Sequence, residues 1–145
     1  MVRSISIVAF FGGLMIACGD GATAPTPAVL RVVTDQATYT VGDTGEVRIF
    51  NVSGSAVPYN ECDRSLDRYV EGKWVDVPWR AAVDQNCVDI LRSLAAGAEI
   101  SVAFRLLDTL GSGTYRWRFN EILTDDARTQ LPLWERVSTP FLVAP

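Results

Sequence analysis

Glu99-Ile-Ser-Val-Ala-Phe-Arg-Leu106 and Thr114-Tyr-Arg-Trp-Arg-Phe119 decide the fold. In the first stretch Ile100, Val102, Phe104 and Leu106 point one way, and Glu99, Ser101, Ala103 and Arg105 the other. In the second, Tyr115, Trp117 and Phe119 share one face, and Thr114, Arg116 and Arg118 share the opposite one. Alternation with a period of two is the mark of a half-buried strand. Weaker stretches of the same kind lie at Leu30–Thr34, Thr38–Val41, Glu46–Val52, Val57–Asn60, Asp67–Val70, Trp74–Val77 and Phe141–Val143. Turn chemistry separates them: Val41-Gly-Asp-Thr-Gly45, Ser53-Gly-Ser55, Glu71-Gly-Lys73, Ala96-Gly97 and Gly111-Ser-Gly113. Many short strands at such spacing predict an all-β sandwich or barrel. Only Ala81 to Leu94, with Val83, Val88, Leu91 and Leu94 alongside Cys87, leaves room for a helical turn, and a long covered loop fits it equally.

Outward from this region, the amino-terminal end reads differently. Arg3 precedes an apolar run from Ile5 to Ala17 that ends at Cys18. A membrane-spanning helix needs about 20 apolar residues, so the run is too short to cross and fits the apolar region of a secretory signal. Leu14-Met-Ile-Ala-Cys18 resembles the lipobox of bacterial lipoproteins, with Met15 where that family usually has leucine. The resemblance implies cleavage after residue 17 and lipid on Cys18. It also implies export, with membrane attachment resting on that lipid. Gly19, where sorting rules place an aspartate for inner-membrane retention, favours the outer membrane if the envelope has two. Gly19 to Ala28 is small, contains two prolines and reads as a tether. The expected organisation is a signal peptide over 1–17, a lipidated tether over 18–28 and one domain over 29–145.

Three cysteines occur. With Cys18 given to lipid, Cys62 and Cys87 remain as an even pair in an exported chain, where disulfides persist. Two reduced buried thiols are the alternative; zinc lacks ligands, since the chain has no histidine. Without Arg3, the 13 basic residues become 12 against 17 acidic, a charge of −5 that offers no footprint for nucleic acid.

The ordered set Tyr39-Thr-Val-Gly42, Val47-Arg-Ile-Phe-Asn51, Cys62, Trp74-Val-Asp-Val77, Cys87, Leu94-Ala-Ala-Gly97, Gly113-Thr-Tyr-Arg-Trp117 and Val137-Ser-Thr-Pro-Phe-Leu-Val143 resembles the small immunoglobulin-like domains of bacterial secreted proteins and lipoproteins. More distantly it resembles the β-sandwich of the bacterial intracellular proteinase inhibitor family. The resemblance covers about Leu30 to Val143 and implies an immunoglobulin-like antiparallel β-sandwich of about seven to nine strands. Tyr115, just after a corner, is placed to bury its ring and bond its hydroxyl to backbone upstream, the tyrosine-corner device of such sandwiches; a plain core aromatic is the alternative. Asn51 ends a strand where its amide serves turn backbone. Trp74 and Trp117 read as core. Trp79 and Trp134 fall outside the alternation, which leaves one of them open to exposure.

Catalytic equipment is thin: no histidine, no Gly-x-Ser-x-Gly elbow, no Ser-x-x-Lys and no P-loop. Lys73 is the only lysine. Asp63 with Asp67, and Glu121 with Asp125-Asp126, are paired carboxylates without the spacing of a calcium loop. The expectation is a non-enzymatic, cofactor-free, metal-free lipoprotein that presents an immunoglobulin-like domain for binding or as structure in the envelope. Its partner loops would be 80–94 or 120–134. The alternative is a proteinase inhibitor acting through one of those loops.

Overall fold

The computed structural model describes residues 28–79, 87–88, 90–124 and 127–145. The expected signal peptide and the tether up to residue 27, Cys18 included, and residues 80–86, 89 and Asp125-Asp126 lie outside these residues. Ten strands run through the described residues: β1 (Leu30–Thr34), β2 (Thr38–Thr40), β3 (Thr44–Asn51), β4 (Val57–Tyr59), β5 (Arg64–Val70), β6 (Lys73–Val77), β7 (Arg92–Leu94), β8 (Glu99–Arg105), β9 (Gly113–Phe119) and β10 (Phe141–Ala144). A single 3₁₀ turn, Leu133–Glu135, is the helical element among them, and no helix there is long and apolar enough to cross a membrane.

Three strands form one sheet in the order β1-β3-β8, and five form another in the order β2-β10-β9-β5-β6. The alternation explains how they meet. Val32, Val47, Ile49, Val102 and Phe104 face inward from the first sheet, and Tyr39, Leu66, Tyr115, Trp117, Phe119 and Phe141 from the second, all buried in one core. Phe104 lies between the sheets, tilted against Trp117 at 4.9 Å and edge-on to Tyr39 at 5.4 Å. The result is an immunoglobulin-like β-sandwich. The chain's first strands are split between the sheets: β1 pairs antiparallel with β3, and β2 pairs parallel with β10. Asp35 holds the crossing, its Oδ1 accepting from the Tyr39 hydroxyl at 2.6 Å and the Glu46 N–H at 2.8 Å. Gly45 makes this approach possible, because a Cβ there would lie 2.6 Å from a Tyr39 ring carbon and 2.8 Å from Phe104.

Two expectations change. The stretch 81–94 is not helical at its described end: Arg92–Leu94 forms β7, paired with β4 through Val57↔Leu94 and Tyr59↔Arg92. Trp74 is not a core residue. The β5–β6 hairpin turns through Glu71 and Gly72, both at positive φ (49° and 83°), as a two-residue turn of the mirror-image type requires. That turn sets Tyr69 opposite Trp74, and Tyr69 belongs with Asp67 to the outward set of β5, so Trp74 lies half-buried on the outer face.

Candidate functional site: the outer face of the five-stranded sheet

The outward residues of β5, β6 and β9 form one connected patch. The β5–β9 register places Asp67 opposite Arg116 and Ser65 opposite Arg118, and the β5–β6 register places Asp67 opposite Asp76. Two carboxylates directly across a ladder repel each other, and the arginines of β9 relieve this. Arg116 Nε donates to Asp67 Oδ2 at 3.1 Å, Arg118 Nε donates to Oδ1 at 3.1 Å, and Arg118 Nη2 lies 3.1 Å from Asp67 and 4.0 Å from Asp76. Asp67 is thereby buried beneath two guanidinium groups.

The chain of contacts continues both ways. Toward the hairpin, the Arg116 guanidinium sits 4.3 Å over the Trp74 ring, and Trp74 packs against the exposed Tyr69 ring at 5.1 Å. Toward the opposite end, Arg118 Nη1 donates to Asn120 Oδ1 at 2.6 Å, and Asn120 Nδ2 donates to Asp63 at 3.0 Å and Ser65 at 3.1 Å. A shallow groove of about 540 Å³ borders this polar end, with Asp63, Asp76, Pro78 and Asn120 in its lining. Beneath it the buried Arg64 lies 4.8 Å over the Trp79 ring. Burial first, and the nearby Arg118 charge second, hold Arg136 below the usual arginine value; its Nη1 donates to the Phe119 and Asn120 carbonyls. Chemically the patch offers planar cations, an aromatic pair with Tyr69 exposed and Trp74 half-buried, and hydrogen-bonding carboxylates, groups that recognise a surface. Among the described residues no three His, Cys, Asp or Glu side chains converge as metal ligands.

The remaining residues singled out from sequence serve the frame. The Tyr115 hydroxyl donates to the Gly111 carbonyl at 2.6 Å, a tyrosine corner, and burial raises its pKa. Trp117, two residues on, is wholly buried and edge-on to Trp79 at 4.7 Å; in antibody domains that position holds the second cysteine of the intersheet disulfide. The disulfide here is Cys62–Cys87, with Cα atoms 5.6 Å apart, joining the approach to β5 with the approach to β7. Asn51 Nδ2 donates to the carbonyls of Ser55, Leu94 and Ala95 at 2.8, 2.9 and 3.1 Å, and its Oδ1 accepts from Ser53. Trp79 is buried, while Trp134 is exposed.

Sequence reading missed two features. The Asp67–arginine cluster was half visible, since alternation sent Arg116 and Arg118 outward together. The buried Glu135, whose Oε2 accepts from the N–H groups of Val29 and Leu30 at 2.6 and 3.0 Å, had no local signal.

No protein-family model matches the chain, and no curated protein does. Solved structures similar to it include an alkylpurine DNA glycosylase, AlkC of Pseudomonas fluorescens, bound to DNA containing an abasic site analog. That likeness has 10% identity, 83% of this chain, 32% of that one and a TM-score of 0.36. A beta-glucosidase from Listeria innocua matches at 14% identity over 81% of this chain, 16% of that one, with TM-score 0.34. PapD-like domain 7 of human CEP192 matches at 15% identity, over 97% of this chain and 94% of that one, with TM-score 0.34. This chain therefore spans less than a third of the length of the two enzymes, and at these values the likeness assigns it no activity.

Proposed function

We propose that the chain is a lipid-anchored protein of a bacterial envelope whose immunoglobulin-like domain binds a protein partner through the outer face of its five-stranded sheet. The observation that carries the reading is the stack Tyr69–Trp74–Arg116–Asp67–Arg118. Aromatic residues and arginine are enriched at protein interfaces, and such anchors dominate binding energy. Here they are held flat on a rigid sheet by one buried carboxylate, so little side-chain freedom remains to be lost on binding. The anchor follows from the lipobox resemblance at Cys18 and the tether behind it.

Two measurements test the proposal in cells that make the protein. Cys18→Ser is expected to abolish acyl labelling and membrane retention; retention without Cys18 overturns the anchor. A photocrosslinking amino acid in place of Tyr69 is expected to yield a discrete protein adduct. The same group in place of Ser101, exposed on the other sheet, is expected to yield none. Equal adducts at both positions, or none at Tyr69, overturn the binding face. Inhibition of a serine, cysteine or metalloprotease by the purified protein would replace this reading with the inhibitor.

A further inference from the structure

The chain enters the sandwich at a defined end. The Val52 N–H donates to the Val29 carbonyl at 3.0 Å, Leu30 pairs with Asn51, and Glu135 accepts from Val29 and Leu30. Residues 29, 51–52 and 133–135 therefore share one end. The Tyr59↔Ile122 bridge and the Tyr59↔Arg92 pair belong to that end as well. The β5–β6 hairpin tip and the Val41–Asp43 turn, whose Val41 N–H donates to Ala144, form the other end.

The entry end carries an apolar display with no cover among the described residues. Leu133 is 45% exposed, Trp134 57% and Val52 54%. The 3₁₀ turn that bears Leu133 and Trp134 is fixed from beneath by Glu135, itself only 4% exposed. A rigid turn that holds a tryptophan and a leucine in water marks a contact surface.

We infer that this end seats on the lipid surface, with Trp134 and Leu133 in the headgroup region. The inference rests on the anchor reading above and names what the anchored domain touches. Nine residues lie between Cys18 and Ala28, ten steps along the chain. Ten steps of backbone reach at most ~33 Å. A lipid on Cys18 thus keeps the entry end within roughly one domain's width of the bilayer. Tethering at that distance raises the effective concentration of the surface to about the millimolar range, so a weak apolar contact is populated. Tryptophan favours the membrane interface because its ring is apolar and its N–H finds water or headgroup oxygen. Such a seat stands the strands upright and turns the outer face of the five-stranded sheet sideways, parallel to the membrane normal.

The test uses the full lipidated protein in vesicles of phosphatidylethanolamine and phosphatidylglycerol with acyl chains brominated near the headgroup. Tryptophan emission is expected to be quenched relative to unbrominated vesicles, and Trp134→Phe is expected to remove most of that quenching. Equal quenching in both proteins, or none in the parent, overturns the inference. The mass of the amino-terminal peptide is read on the same sample. Acyl mass without Trp134 quenching overturns the seat alone, whereas absent acyl mass overturns the anchor reading and the seat with it. An unchanged melting curve for Trp134→Phe shows that the fold is intact, as its exposure predicts.

Discussion

Asp67→Asn removes a charge from the outer face without changing its shape. The carboxylate is 3% exposed and is contacted by Arg116 and Arg118, whose side chains are 14% and 26% exposed. In the variant one side-chain oxygen remains to accept, and the new amide turns its N–H groups toward a guanidinium. Hydrogen bonds to charged groups contribute about 1.5–3 kcal/mol each. Water reaches both arginines in part and repays some of the loss. The net cost should therefore be about 2–4 kcal/mol, near the lower end of what breaking a buried ion pair costs. At about 4 °C per kcal/mol for a domain of this size, that is roughly 8–16 °C in melting temperature. Thermal unfolding of the oxidised protein followed by circular dichroism reads it directly. Asp76→Asn is the control: Asp76 is 65% exposed and 4.0 Å from Arg118, so its loss should cost under about 0.5 kcal/mol. A loss below about 0.5 kcal/mol for Asp67→Asn would mean that desolvation cancels the attraction, and the cluster would not organise the face. A cycle with Arg118→Met should show coupling above about 1 kcal/mol; strictly additive costs would also refute the reasoning.

Tyr115→Phe deletes only the hydroxyl bonded to Gly111 and should cost about 1 kcal/mol; an unchanged urea midpoint would show that the corner contributes nothing. Reduction of Cys62–Cys87, 25 residues apart in sequence, frees the unfolded chain and should lower stability by about 3.5 kcal/mol on the loop-entropy account. A melting curve indifferent to reductant would contradict this. Tyr39, pushed from 10.0 up to about 12 by burial and then by Asp35, ionises less readily folded than unfolded. Its contribution is whole below pH 10.0 and falls as pH rises through 12. Tyr39→Phe should flatten that alkaline loss, and an identical profile would overturn the assignment. Asp35 acts at the other limit. Burial opposes its charge, but hydrogen bonds from Tyr39 and Glu46 outweigh this and hold it below 3.8. Its contribution is lost as pH falls through that lowered value, so Asp35→Asn should blunt acid unfolding; an unaltered acid midpoint would count against it.

The frame was legible where side chains alternate cleanly. Tyr115, Trp117 and Phe119 announce an inward face, and Val102 with Phe104 announces the face it meets. The candidate site was legible only on one strand. Arg116 and Arg118 could be sent outward from sequence, but their shared partner Asp67 depends on the register between β5 and β9, which no local pattern encodes. Trp74 was misplaced because a tryptophan in an apolar stretch reads as core, whereas the two-residue turn at Glu71-Gly72 fixes it beside Tyr69 on the outer face. Arg92–Leu94 is too short to alternate and becomes a strand only because β4 lies beside it. Glu135 looks like a solvated loop carboxylate until the fold brings it the unpaired N–H groups of Val29 and Leu30.

The parallel pairing of β2 with β10 has a mechanical meaning. Leu30 begins β1 at one end of the sandwich and Ala144 ends β10 at the other, so tension between them runs along the strands. The β2–β10 ladder, with Thr38 to Thr40 beside Leu142 to Ala144, lies between those two points of attachment. Its hydrogen bonds are loaded together in shear and not peeled apart singly. A domain held at its amino-terminal end and pulled from its far end would thus meet the load with this short ladder as a clasp.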